Sequence, residues 1–349
     1  MIEPGPSPAL LVRLRPAGPW RIGPPDGSRD SVDRILHSDT LFSTVSRAMG
    51  SLECLDEWLA DTVRAEAPAV RFTSAFPFLG DLLYVTPPRG LWPPPPSAKV
   101  RWQSAELVPL TVVQSLATQS AVDENQWWVD LASRCLLPVD RTAPGGAHPA
   151  VPFHVVVRHG AAIDRLTGVA EPHSMACIEF APNAGMWCAA VFADNAARER
   201  WADRVKAAFR LLADSGIGGR RSQGWGRAEQ PDFRDGMFPD LLWGSAAQIA
   251  GADEPLWWTL SLFSPAGSDA IDWRRGHHAL LLRRGRIESS DNWGRSKKAV
   301  NMVAEGSLLA SAKPPLGTAR DVAPDGFPHP VFCAGFAVAV PLVIRGSAS

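Results

Sequence analysis

The feature that most limits what this chain can be is the run from Asp194 to Arg227, where an amphipathic helix ends in a glycine- and arginine-rich loop. Asp194 is placed to cap a helix that carries Trp201, Val205, Ala208, Phe209 and Leu212 on one stripe and stops near Asp214. Gly216, Gly218, Gly219, Gly224 and Gly226 then fall within eleven residues, interleaved with Ile217, Ser222, Gln223 and Trp225 and with the basic Arg220, Arg221 and Arg227, and no acid interrupts them. Glycine permits positive φ and close approach, so successive N–H groups can form an anion-binding nest while guanidinium groups clamp phosphates. The chemistry points to a phosphodiester backbone. A nucleotide P-loop does not fit, because GxxxxGK[ST] is absent and GxGxxG fails at Arg221. The loop also follows its helix, so it meets the negative end of the dipole and side-chain charge must do more of the phosphate binding. Trp225 has two readings: a platform for a base, worth about 1–3 kcal/mol in single-strand binders, or a core residue beginning the next strand.

The helix lies among strand-like runs. Leu10 to Arg15 alternates apolar and basic residues, as a strand with one buried face does. Ser38 and Asp39 are cap candidates for a helix carrying Leu41, Val45 and Met49. RFTSAFPF, LLYV, FHVVVRH, MACIEF and MWCAAVF read as strands, and a helix is expected around Glu124 to Arg134. The order strand, helix, strands, helix, glycine loop, strand suits an α+β sandwich of the form β1α1β2β3α2β4. A second patterned block, WWTLSLF to GFAVAVPLVI, starts after a boundary placed near residue 240. At 349 residues two domains are expected, 1–240 and 241–349. The proline segment around 93–96 reads as a stiff surface excursion.

Composition removes other classes. Hydrophobic residues at 46% and charged residues at 20% exclude long disorder and coiled coil. Cys333 to Ile344 is too short, and contains Pro341, to span a membrane; no secretory signal pattern opens the chain, so a cytoplasmic protein is expected. Five cysteines (Cys54, Cys135, Cys177, Cys188, Cys333) with no CxxC pair indicate reduced core residues and no zinc site. His148, His173, His277, His278 and His329 make no ligand pattern, and neither metal nor cofactor is implied. A net charge of −1 argues against indiscriminate coating of nucleic acid but leaves room for a local basic groove. The preference for Arg over Lys suits bidentate phosphate contacts and also follows from a GC-rich genome. Between Ile271 and Lys298, Arg274, Arg275, Arg283, Arg284, Arg286, Arg295, Lys297 and Lys298 outweigh Asp272, Glu288 and Asp291; this is a solvated face or a second contact surface.

ADSGIGGRRSQGWGR resembles the glycine-rich loop of the RAMP superfamily of CRISPR proteins. SDTLFS (38–43), SAFPFLGDLLYV (74–85), AIDRLTG (162–168), FAPNAGMW (180–187), TLSLFSP (259–265) and RSKKAVNMVAEGS (295–307), in this order, resemble the type III-A (Csm) subunit that caps the 5′ end of the crRNA. That resemblance covers roughly residues 10–345 and implies two RRM-like (ferredoxin-like) domains. It implies a noncatalytic subunit that binds the repeat-derived 5′ handle and docks the large signature subunit on one side and a backbone RAMP subunit on the other. Carried over by position, Ser38, Asp39 and Thr40 would face the handle beside His37; Gly216 to Gly226 would clamp phosphates; Arg158 and Arg165 would face RNA; Arg295, Lys297 and Lys298 would add contacts. Two alternatives stand beside this reading. One is a metal-independent crRNA-processing endoribonuclease with His37 as general base. The other is a protein scaffold whose basic residues serve partner contacts only.

Overall fold

The alternating N-terminal run is a strand, β1 (Ser7–Leu14), followed by helices α1 (Ser38–Ser51) and α2 (Leu55–Thr62) and strands β2 (Val70–Phe72), β3 (Phe76–Leu79) and β4 (Leu82–Val85). An excursion then carries β5 (Val108–Pro109), α3 (Leu110–Ala117) and the hairpin of β6 (Trp127–Asp130) and β7 (Cys135–Pro138). The chain returns through a long hairpin, β8 (Phe153–Ile163) and β9 (Ala170–Phe180), then β10 (Ala184–Phe192), α4 (Asn195–Ser215), β11 (Asp232–Phe238) and the one-turn α5 (Asp240–Trp243). The computed structural model describes residues 6–24, 27–94, 100–118, 120–139, 150–243, 255–287 and 294–342. Pro95, Pro96, His148, Glu288, Asp291 and the apolar run past Leu342 lie outside the described residues.

β1 runs antiparallel between β10 and β11, with Leu10 opposite Ala190 on one side and Asp235 on the other. β10 pairs next with β3 and, at its other end, with β2, so the sheet reads β11-β1-β10-β3-β4-β5. The expected single buried face of β1 is not what forms: Ala9, Leu10, Leu11 and Val12 are all buried, because β1 is an interior strand covered on both sides.

α4 lies over β1 and β10 and packs on α1. Its cap is the expected one, Asp194 accepting from the Ala197 N–H at 2.8 Å, and its stripe of Trp201, Val205, Ala208, Phe209 and Leu212 is buried. Trp201 meets Trp58 edge-on at 5.2 Å and Phe209 meets Phe72 edge-on at 6.2 Å, which locks the two helices to the sheet. Truncating such a side chain costs about 3–5 kcal/mol.

Two local expectations are corrected. The residue at the α1 cap position is His37, in extended backbone; Ser38 and Asp39 belong to the first turn, and their side chains are drawn into tertiary contacts instead of capping. Residues 124–134 form a short 3-10 turn (Glu124–Gln126) and then the β6–β7 hairpin, not a helix, because the Trp127–Trp128–Val129 run favours extended backbone and Arg134 takes a positive φ of 56° in the turn.

The second half contains β12 (Leu256–Thr259), β13 (Asp272–His277), β14 (Leu280–Arg283), β15 (Val300–Val303), β16 (Leu308–Ala310), β17 (Gly317–Asp321), β18 (Phe332–Phe336) and β19 (Ala339–Leu342). Its main sheet is β13-β16-β12-β19, joined by the pairs β14–β15 and β17–β18. Among the described residues from 255 onward there is no helix. Pro314, Pro315, Pro324, Pro328 and Pro330 break up the stretch after β16, and before it the described chain is taken up by the paired strands β13 to β16. Helix cover comes from the first half: Phe42 of α1 packs edge-on against Phe336 of β18 at 5.5 Å. One buried cluster accordingly contains Leu10 and Trp201 together with Trp258, Phe336 and Leu342.

Candidate nucleic-acid interface

The glycine loop leaves α4 through Gly216, whose N–H still bonds Leu212 O at 2.8 Å, and is folded largely upon itself. Ile217 N–H donates to Gly226 O, Gly219 N–H to Arg21 O and Gly226 N–H to Pro19 O, each at 2.9 Å; Gln223 and Trp225 N–H donate to Arg220 O. Three glycines are required by both conformation and space; Gly216, at φ +87°, would place a Cβ 2.6 Å from Trp225 O. Gly218, at φ +83°, would place a Cβ 2.3 Å from Arg21 O, and Gly226, at φ +81°, would place one 2.0 Å from Ile217 O. Many of the N–H groups expected to form an anion nest are thus engaged in holding the loop. Ligand charge falls to the side chains, as the position after a helix C-terminus requires.

Arg21 braces the loop, a role no sequence pattern announced. It is buried, donates to Ala176 O at 2.7 Å and Ser28 O at 2.6 Å, and takes the Gly219 N–H on its own carbonyl. Burial and then the nearby Arg220 depress its pKa.

The β8–β9 hairpin meets the loop from the side. The Arg158 guanidinium lies 5.6 Å from the centre of the half-buried Trp225 ring and pairs with Glu179 at 2.6 Å, while Arg220 Nε lies 3.1 Å from Met175 Sδ, the cross-strand partner of Arg158. Trp225 is therefore not a fully buried core residue, and Arg158 lies against its ring.

The three basic or polar stretches singled out in the sequence meet in one groove of about 760 Å³. One wall is α1, through Thr40, Ser43, Thr44 and Arg47; another is the loop, through Gly218, Gly219 and Arg221; the third is the segment leaving β14 and entering β15, through Arg284, Arg286, Lys297 and Lys298. With Arg283, seven basic side chains line it against a single acid, Asp39. That acid is already engaged, because Arg283 holds it by two parallel bonds and also donates to Thr40 Oγ1 at 3.0 Å. Burial would raise the Asp39 pKa, but Arg283 outweighs it and keeps the carboxyl below the usual range.

His37 and Ser38 lie beneath this groove, not in it. The His37 ring is nearly buried, with Nδ1 2.8 Å from Glu305 Oε1 and Nε2 3.7 Å from Asp33 Oδ2. Burial pushes its pKa down, and the Glu305 carboxylate overrides this and holds it above the ordinary value. Ser74 Oγ makes a short hydrogen bond to the same Glu305 oxygen and accepts from Ser38 N–H at 2.9 Å, and Ser38 Oγ accepts from Leu262 N–H at 3.0 Å. Sequence alone offered no reason to single out Glu305.

The remaining basic residues are dispersed. Arg165 stands in the exposed turn at the tip of the β8–β9 hairpin. Arg295 lies over Phe327, 5.6 Å from its centre, and donates to Asp325 O, beside but not among the residues lining the groove; Lys298 pairs with Asp325 at 2.7 Å. Arg274 lies exposed in β13. Among the described residues no group of three metal-ligating side chains converges, and no helix is long and apolar enough to cross a membrane.

Residues 38–229 match the RAMP superfamily, the stretch that holds both α1 and the glycine loop, and the chain belongs to that superfamily. Within it the likeness is to Csm4: residues 252–342 match the CRISPR Csm4 C-terminal domain. The CRISPR system Cms protein Csm4 of Thermococcus onnurineus (strain NA1) is 24% identical over 300 residues, 86% of each chain. The fold is similar to a chain in the crystal structure of the Csm3-Csm4 subcomplex of the type III-A CRISPR-Cas interference complex, with a TM-score of 0.65 at 13% identity over 96% of this chain and 100% of that one. It is also similar to a chain of the Csm1-Csm4 cassette crystallised with cA4, with a TM-score of 0.56 at 16% identity over 97% and 100%.

Proposed function

We propose that this chain is the noncatalytic RNA-binding subunit of a type III-A CRISPR effector complex, acting in the cytoplasm, and that it anchors the repeat-derived 5′ handle of the crRNA in the basic groove. The observation that carries the reading is the convergence of the α1 face, the glycine loop and the Arg284–Lys298 cluster on one cavity with seven cations. Side chains of that kind neutralise backbone phosphates and release counterions. The strand order β11-β1-β10-β3 with α1 and α4 between them supports an RRM-like unit over residues 1–240, with residues 241–349 as a second, strand-built unit. The likenesses to chains solved with Csm3 and with Csm1 support the bridging role, joining a backbone RAMP subunit to the large signature subunit.

The endoribonuclease reading requires His37 to reach a ribose hydroxyl. Its burial and its bond to Glu305 favour the binding role. Incubation of the pure chain with repeat-containing precursor RNA, without metal, is expected to leave the RNA intact; cleavage abolished by His37→Ala would reinstate the enzyme. The handle assignment is tested by co-purifying the complex and mapping the bound RNA ends. Wild type is expected to protect a uniform repeat-derived 5′ tag that is lost when Arg220 and Arg221 are both changed to Ala, and equal protection in both would overturn it.

A further inference from the structure

We infer that Glu305 is a positioning residue for the RNA groove: by holding His37 and Ser74 it locks the start of α1 to the second half of the chain and so fixes the spacing between the α1 wall and the β14–β15 wall of the groove. The inference rests on the groove being the RNA site. Glu305 stands in the connection from β15 to β16, and β15 pairs with β14 from Leu280↔Val303 to Arg283↔Val300. The far end of that hairpin carries Arg284, Arg286, Lys297 and Lys298, one wall of the groove. The wall facing it is the outer face of α1, whose first residues follow His37 directly. The hairpin is therefore tied to α1 at two places, at its base by Glu305 to His37 and, through Ser74, to the Ser38 N–H, and beside the groove by Arg283 to Asp39. Glu305 is not among the residues that line the groove, and at 3% exposure it has no solvent to replace a lost partner.

This arrangement gives a signature that a merely structural carboxylate would lack. The charged groups facing His37 are Glu305 from the second half, Asp33 from the loop before α1, Asp39 from α1 and Arg283 from β14. Burial disfavours the imidazolium, but Glu305 more than offsets that, so the locked state holds a proton on His37 that a loosened state gives up. As pH rises past the elevated His37 value, the imidazole becomes neutral, Glu305 is left buried without its counter-charge, and the walls lose their fixed spacing. RNA affinity falls in that direction, although phosphodiesters do not titrate there.

The test uses the full chain and a labelled single-stranded RNA of repeat-derived sequence, with affinity measured at constant ionic strength from about pH 6 to about pH 8.5. Wild type is expected to bind progressively more weakly as pH rises. Glu305→Gln, which keeps the shape and removes the charge, is expected to bind roughly 5- to 150-fold more weakly at the acid end and to show a flat profile. The difference between the two profiles isolates the pair from His329, which lines the rim in both. Wild-type affinity in Glu305→Gln, or a slope unchanged by it, would overturn the inference, and so would a flat wild-type profile, which reads out even if the variant fails to fold. The groove itself is read from Arg284→Ala combined with Lys297→Ala. If that variant loses binding while Glu305→Gln does not, only the positioning role fails; if neither loses binding, the groove is not the RNA site.

Discussion

Arg283 grips Asp39 through two parallel bonds, Nε to Oδ2 at 2.9 Å and Nη2 to Oδ1 at 3.0 Å, between residues 244 positions apart in the chain. The side chains are 7% and 10% exposed, so neither has enough water to replace the other. Together with the His37–Glu305 contact, this pair makes the seam between the two halves a buried ionic one.

Removing one member of such a pair strands the other. Asp39→Ala is expected to destabilise the full chain by about 3–5 kcal/mol in urea denaturation, with Arg283 left uncompensated. A direct RNA-contacting role for Asp39, as the family resemblance implied, predicts the opposite pattern: weaker RNA binding at unchanged stability.

The seam also sets a pH dependence for folding. His37 is raised above its ordinary value by Glu305, so its contribution is complete below about pH 6.5, the unfolded value, and is lost as pH rises through the folded one. Glu305, where His37 and hydrogen bonds prevail over burial, is lowered; its contribution is complete above about pH 4.3 and is lost as pH falls through the depressed value. The thermal midpoint is expected to be highest between these limits and to decline on the alkaline side. In His37→Gln the part of that decline due to His37 disappears, and a superimposable profile would refute the assignment.

The glycines of the loop are not equivalent. Gly224, at φ +80°, has open space where a Cβ would lie, so Gly224→Ala carries only the left-handed penalty of about 1–2 kcal/mol. Gly226→Ala adds a collision with the Ile217 main chain and is expected to be markedly more destabilising, with loss of RNA binding. Paired melting curves and binding isotherms of the two variants check the ordering.

Salt dependence reports the phosphate contacts. Single alanine substitutions at Arg284 and Lys297 are each expected to lower the slope of log affinity against log salt by about 0.7, the single-strand value for one lost contact. Arg165→Ala, at the hairpin tip outside the groove lining, is expected to leave the slope unchanged. Titrations at several salt concentrations distinguish the three.

The local code fixed several elements by itself. Asp194 and the stripe from Trp201 to Leu212 specify α4 because cap and periodicity act over one to five turns, and the glycine spacing specifies the loop because φ is a property of single residues. The same short range explains the failures. Period two in LLVRLR reports alternation but not how many layers cover the strand, and an aromatic run beside helix-permissive residues at 124–134 is settled by pairing with β7. Only the tertiary structure showed the bonds of His37, Ser38 and Asp39, which the family resemblance would place at the RNA: they reach Glu305, Leu262 and Arg283, and Asp39 lines the groove as well. It alone made Glu305 and Arg21 matter, and it alone brought residues near 47, 221 and 297 to one groove. Charge pairing between buried groups is set by distance in space, which a sequence read along the chain does not contain.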